Sequence, residues 1–367
     1  MSVNRFGEDA AIIALEHFKS GKINRRNFMT AMAGVGLAVA FRPSHASAAV
    51  TEVVVCNWGG AALDAFQKAF GPGCKSATGM ELVVDGTGPS TGAIRAMVES
   101  KNVTWDATDG GMTDAVTLGK GGYVEPIDYS IVDKSLVGAG MAAEFGIANY
   151  TFSNVLAYDA KKTKGVAPTG WADFFDLEKF PGKRTMCKWI QGQLESVLLA
   201  DGVKPEEMYP LDVDRAFKKL EPLLPNLIFW DSGAQSQQLF RDGEVVMGNI
   251  WHTRANLLRK ENKDFTWTWE QNLVFASAWS VPKGNPAGKK VYDFINSSLQ
   301  PEGQVTLLRL MGNGPSNPKA LAMMTEEDKA VYNLAPENSK NNLTISADYY
   351  ADNEAALQNK FLDFISR

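Results

Sequence analysis

From residue 53 the chain alternates short apolar runs with stretches whose apolar positions recur at helical spacing. Val53 to Cys56 reads as a strand, Ala61 to Phe70 as a helix, Leu82 to Val84 as a strand and Thr91 to Glu99 as a helix. Trp105 to Thr108 gives a third strand, then Asp109-Gly110-Gly111 and a helix over Thr113 to Leu118. Such alternation means parallel strands with helices on both faces. Ile147 to Tyr158 lacks helical periodicity and reads as an extended crossing into a second α/β block. That block holds helices over Trp171–Phe175, Leu194–Ala200, Asp212–Leu224, Gln235–Arg241 and Arg254–Glu261. Its strands are expected over Arg184–Cys187, Leu227–Trp230 and Val245–Trp251. Leu273 to Pro282, extended and closed by proline, is the return crossing, followed by helices over Lys289–Leu299 and Glu302–Leu310. A Thr325-x-x-Asp328 cap and a final Glu354–Ile365 helix end the chain.

The expected architecture is α/β with two lobes: 49–155 plus 280–320 as the first, 156–279 as the second. Residues 321–367 form a C-terminal helical segment packing on both. Hinges are expected at about Phe152–Tyr158 and Ala278–Val281, because only those extended crossings join the blocks. A ligand site of such sheets lies beyond the carboxyl ends of the strands. Here that is the cleft between the lobes.

The first 48 residues change the picture. They carry six cations (Arg5, Lys19, Lys22, Arg25, Arg26, Arg42) against three acids (Glu8, Asp9, Glu16), so the chain's net charge of -5 becomes -8 beyond them. Asn24-Arg25-Arg26-Asn27-Phe28-Met29, an uncharged run to Phe41 and Ala46-Ser47-Ala48 read as a twin-arginine export signal at 1–48, cleaved after Ala48. The run is shorter than the roughly 20 residues a bilayer span needs. The expected location is therefore periplasmic. A body this acidic offers no footprint for nucleic acid or anionic lipid.

Hydrophobic residues at 45% and charged residues at 22% are ordinary for a globular chain, and 367 residues suffice for about two domains. His252 is the single histidine beyond residue 48, which excludes a multi-histidine metal site there. The three cysteines form no Cys-x-x-Cys, so iron-sulfur and c-type haem are excluded and no cofactor is expected. Cys56 and Cys74 either join the first strand to the loop after the first helix or stay, with Cys187, as small buried thiols. No Gly-x-Ser-x-Gly elbow, Walker loop or Gly-x-Gly-x-x-Gly follows a strand. A secreted hydrolase using the same cleft would have only His252 as an imidazole base. Glu206 and Glu207 read as a solvated turn.

Several segments, in order, carry a family pattern: Asn57-Trp58-Gly59-Gly60, Trp105-Asp106, Gly122-Tyr123-Val124-Glu125-Pro126-Ile127-Asp128 and Trp230-Asp231-Ser232-Gly233-Ala234-Gln235. Asp242-Gly243-Glu244-Val245, Trp251, Trp279-Ser280-Val281-Pro282-Lys283-Gly284, Phe294-Ile295-Asn296, Pro301-Glu302 and Gly314-Pro315-Ser316-Asn317 continue it. Over roughly residues 51 to 320 the chain resembles the polyamine-type (spermidine/putrescine) periplasmic solute-binding proteins of ABC importers. The resemblance implies a type II, hinge-closing, two-lobed binding protein. Such a protein captures a small charged organic solute, acts as a monomer and delivers its cargo to an inner-membrane permease.

In that family aromatics cover the ligand's aliphatic chain while carboxylates hold its ammonium groups. Trp58, with Gly59 beside it, Trp251 and Phe275 match the aromatic positions. Gln191, Leu194 and Ser277 stand where polyamine binders carry acids. Arg254, in the first turn after the Trp251 strand, either grips a ligand carboxylate or pairs with an acid of its own lobe. Asp109 and Asp231 either hold an amine or cap the following helices. If Arg254 and one aspartate both act, the ligand is a short ω-amino acid such as 4-aminobutyrate.

Overall fold

The computed structural model describes residues 51–366; the leader, with its Arg25-Arg26 pair and expected cleavage site, lies outside them. The first block builds β1 (Glu52–Cys56), α1 (Ala62–Thr78), β2 (Glu81–Asp85) and α2 (Thr91–Glu99), then β3 (Ala107–Gly111), α3 (Met112–Lys120) and β4 (Val124–Glu125). β1 lies parallel between β2 and β3, as the alternation requires. Helix α1 continues two turns past the expected end, through Pro72. Phe66, Phe70 and Cys74 recur every four residues on one buried face, and burying that stripe outweighs the hydrogen bond that proline cannot donate. Cys74 therefore sits inside a helix rather than in a loop, and its thiol is directed to the Met80 carbonyl. All three cysteines are free and buried.

The second block adds β5 (Ile147–Asp159), α4 (Trp171–Phe175), β6 (Arg184–Cys187), α5 (Gln193–Ala200), α6 (Val213–Leu220) and β7 (Leu227–Trp230). After these come α7 (Gly233–Arg241), β8 (Met247–Trp251), α8 (His252–Glu261) and β9 (Phe265–Pro282). β9 starts earlier than expected because Phe265 to Thr268 pair antiparallel with Leu156 to Asp159. The sheet runs β2-β1-β3-β9-β5-β8-β6-β7, so β5 and β9 pass through both lobes.

Lateral pairing differs along the two long strands. On β5, Asn154 to Tyr158 already pair with β8, and on β9, Ser277 to Ser280 pair with β3. The stretches without such second-strand neighbours lie N-terminal to those residues, around Phe152 and Phe275, which face each other in register. The expected crossings at Phe152–Tyr158 and Ala278–Val281 reach into the residues already tied to β8 and β3. An apolar run announces an extended strand but not its partner.

α9 (Lys290–Ser298) and α10 (Pro301–Met311) return to pack on α1. The two-residue β10 (Gly314–Pro315), α11 (Glu326–Val331) and β11 (Leu343–Thr344) precede α12 (Ala347–Ile365). The last helix begins two turns before the expected Glu354, with Ser346 as its N-cap accepting the Tyr349 N–H. It buries Tyr350, Leu357, Phe361 and Phe364 in the second lobe's core. Its N-terminal half also packs against α3 of the first lobe.

Candidate functional site

A cavity of about 300 Å³ opens between the lobes. Trp58, Asp109, Gln191, Trp251, Arg254 and Phe275 all line it. Gly59 does not. Its φ of +68° and the 2.6 Å that would separate a Cβ from the Gly86 carbonyl oxygen make it the turn that aims Trp58 inward. Trp58 meets Trp189 edge-on at 5.9 Å and Trp251 at 6.3 Å. Trp251 rests against Trp230 at 5.0 Å and Phe152 at 6.2 Å, and Phe152 stacks on Phe275 at 4.9 Å with the rings 7° apart. The result is an apolar collar suited to methylene groups. Its outer member, Trp189, is 45% exposed.

Arg254 enters from the first turn of α8 and is 5% exposed. Its Nε has no hydrogen-bond partner, and no described carboxylate forms an ion pair with it. Its guanidinium lies 6.0 Å from the Trp251 ring centre. Burial pulls its pKa down, which Tyr150 and Asp109 partly oppose by their charges. Room for this side chain comes from Gly233 at the start of α7, where a Cβ would stand 2.3 Å from Nε. A buried guanidinium without a partner is costly, so the site asks for an anion.

Asp109 lies within β3, paired with Trp279 on β9, rather than after the strand; the residue capping α3 is Gly111. The β3–β9 ladder carries the strand three residues beyond its expected end at Thr108. Asn149 Nδ2 donates to Asp109 at 2.9 Å, the Tyr150 hydroxyl at 3.0 Å and the Ser277 hydroxyl at 2.8 Å. Burial raises its pKa to about 6 despite these donors. Ser277 thus anchors Asp109 instead of leaving an acid's place empty. Gln191 donates to Glu354 at 2.7 Å, and Leu194 is buried in the second core, away from the cavity.

Asp231 also lies away from it. Ser232, not Asp231, caps α7, and the aspartate points to solvent 3.5 Å from Lys188. Residues the sequence reading missed include Tyr150, Asn154, Trp189, Asp114 and Glu354, all of which line the cavity. Asp114 stands one turn beyond Gly111, and its pKa is raised to about 7 by burial and by Glu354 opposite. Burial likewise raises Glu354.

His252 is fully buried between β5 and the residue after α10. Its Nδ1 accepts the Ser153 N–H at 2.9 Å and its Nε2 donates to the Gly312 carbonyl at 2.7 Å. Burial lowers its pKa to about 4, so the ring stays neutral and braces two elements. Among the described residues no other imidazole is present to serve as a base in the cleft.

This arrangement agrees with a family model, that of the bacterial extracellular solute-binding protein, which matches residues 61–336. The chain belongs to that family. A gamma-aminobutyric acid-binding protein of Pseudomonas aeruginosa is 31% identical over 338 residues, covering 90% of this chain and 95% of the relative. The solved Atu4243-GABA receptor is 30% identical, with a TM-score of 0.78 over 86% of this chain and 97% of its own. A spermidine/putrescine ABC transporter substrate-binding protein from Streptococcus pneumoniae is 17% identical with a TM-score of 0.69, over 86% of this chain and 99% of its own. That last likeness concerns the fold alone. This solute-binding protein is of the two-lobed type II kind, a component of an ABC transporter and not an enzyme. Among its described residues no helix is long and apolar enough to cross a membrane.

Proposed function

We propose that this solute-binding protein captures a short ω-amino acid, 4-aminobutyrate being the type case, and hands it to an inner-membrane permease after export through its twin-arginine leader. The observation that carries the reading is Arg254: buried, without a carboxylate partner and facing a collar of aromatic rings. Its fork matches a carboxylate. The collar would cover the methylenes of an amino acid or a diamine equally well, so discrimination falls to the charged ends. A plain polyamine would bring further positive charge to a guanidinium that already lacks a counter-ion in contact. The binding proteins for gamma-aminobutyric acid among its relatives support the same choice.

Calorimetric titration of the mature chain with 4-aminobutyrate, putrescine, spermidine and butyrate tests it. Binding of 4-aminobutyrate at least a hundredfold tighter than putrescine is the expected outcome. Tight binding of a polyamine with none of 4-aminobutyrate would sink the proposal.

Binding should also release protons. Asp114, raised to about 7 by burial and by the Glu354 charge, is largely protonated near pH 6 in the empty site. A ligand ammonium beside it favours its ionised form, so affinity should rise with pH up to about 7 and be lost as pH falls below it. The ceiling is roughly tenfold per pH unit for each proton released. Titrations at pH 6 in buffers of different ionisation enthalpy would detect the release. A buffer-independent heat would contradict it.

A further inference from the structure

We propose that Asp114 on α3 and Glu354 on α12 together hold the ligand's ammonium group, so that the amine ties the C-terminal helix to the first lobe. The inference rests on the ω-amino acid reading and gives the second charged end of that ligand its place.

Four acidic residues come into question. Asp231 is outside the cavity and exposed. Asp109 is the innermost, but its two oxygens already accept from Asn149, Ser277 and Tyr150, and the charge nearest to it is that of Arg254. It serves as the guanidinium's distant counter-charge. Asp114 and Glu354 differ from it in both respects. Oδ2 of Asp114 accepts only the Gly111 N–H at 3.3 Å, and Oε1 of Glu354 accepts only from Gln191. Oδ1 and Oε2 carry no hydrogen bond, and neither carboxylate has a cation in ion-pair contact among the described residues.

These two side chains line one cavity, brought there from different parts of the fold. α12 packs on α3, and the exposed pair Lys120–Asp352, at 3.8 Å, links the same two helices. Two carboxylates lining one cavity without a cation in contact repel, and an ammonium with three donors could satisfy both at once. The independent sign of a ligand is Arg254, an unpartnered donor buried in the same cavity. A molecule with a carboxylate at one end and an amine at the other would answer both needs. A monocarboxylic acid or a diamine would answer one.

The test titrates the mature chain and its Asp114→Asn, Glu354→Gln and doubly substituted forms with 4-aminobutyrate and with 4-hydroxybutyrate, which carries a hydroxyl where the amine was. Each single substitution should weaken 4-aminobutyrate binding about tenfold and the pair about a hundredfold or more, while 4-hydroxybutyrate binding changes less than twofold. Glu354→Gln keeps an acceptor for Gln191, so it carries the test alone if a form with Asp114→Asn does not fold. Unchanged 4-aminobutyrate affinity, or equal weakening of both ligands, would overturn the inference while leaving the ω-amino acid reading intact. No binding of 4-aminobutyrate by the unaltered chain would overturn both.

Discussion

Arg254→Met is expected to weaken 4-aminobutyrate binding about a hundredfold and, in the same molecule, to raise the melting temperature of the ligand-free protein. The two effects have one cause. In the empty cavity the guanidinium is buried, makes no ion pair and has an unsatisfied Nε, an arrangement that costs free energy. Methionine fills a similar volume without charge, and Asp109 tolerates the loss because three donors hold it and its pKa of about 6 allows protonation at small cost. With ligand present, a charge-assisted fork to a carboxylate contributes roughly 1.5–3 kcal/mol, and 1.4 kcal/mol is a tenfold change. Calorimetry with a thermal melt of the same preparations reads both. A variant that binds as well as the parent, or melts lower without ligand, would show that Arg254 is a structural residue.

Gly233→Ala should be nearly as damaging, by a different route. At the first position of an exposed helix, alanine in place of glycine ordinarily stabilises by about 0.5–1 kcal/mol. Here the added methyl would stand 2.3 Å from Arg254 Nε and 3.1 Å from both Arg254 Cζ and the Trp251 ring. It must displace Arg254 and Trp251, the two residues proposed to read the ligand's carboxylate and cover its chain. Loss of at least tenfold in affinity is expected, with destabilisation of about 1–3 kcal/mol from overpacking. In an Arg254→Ala background the contacts with the guanidinium are gone and only the 3.1 Å approach to the Trp251 ring remains, so the same substitution should cost much less. That dependence on the neighbour is the signature of coupling. Additive stability effects in the cycle would show that the two side chains do not collide.

Much of this site was legible in the chain because its residues sit at strand ends, where α/β alternation fixes their direction. Trp58 after β1 and Trp251 at the end of β8 were picked out by the resemblance to the polyamine-type binders, and Arg254, one turn later, by element order. Asp231 misled because its neighbour Ser232 is an equally good cap, and hydrogen bonding to the Gln235 N–H settled the matter in favour of the serine. Glu354 was illegible for another reason. It depends on the path of α12, which is set by side chains far away in sequence: Tyr350 donating to the buried Glu195, Gln358 accepting from the Ile190 N–H, and Phe364 stacked on Phe217 at 4.3 Å. Hydrophobic periodicity announces a helix but says nothing of which lobe it will lie across. Pro72 shows the same limit at a boundary, since a local breaker signal yielded to a buried stripe.

The three cysteines give the molecule an unusual chemical quietness for an exported protein. Burial pushes Cys56 up to about 12 and Cys187 higher still, so at neutral pH only about one Cys56 thiol in 10⁵ is a thiolate. Cys74 is raised as well. Cys187 borders the ligand cavity, yet its sulfur accepts the Trp189 N–H at 3.4 Å and stays in the protonated form that neither attacks a disulfide nor holds a soft metal. A binding protein built this way has no folding step that waits on an oxidase. Its capacity for solute should also be indifferent to the redox state of its surroundings.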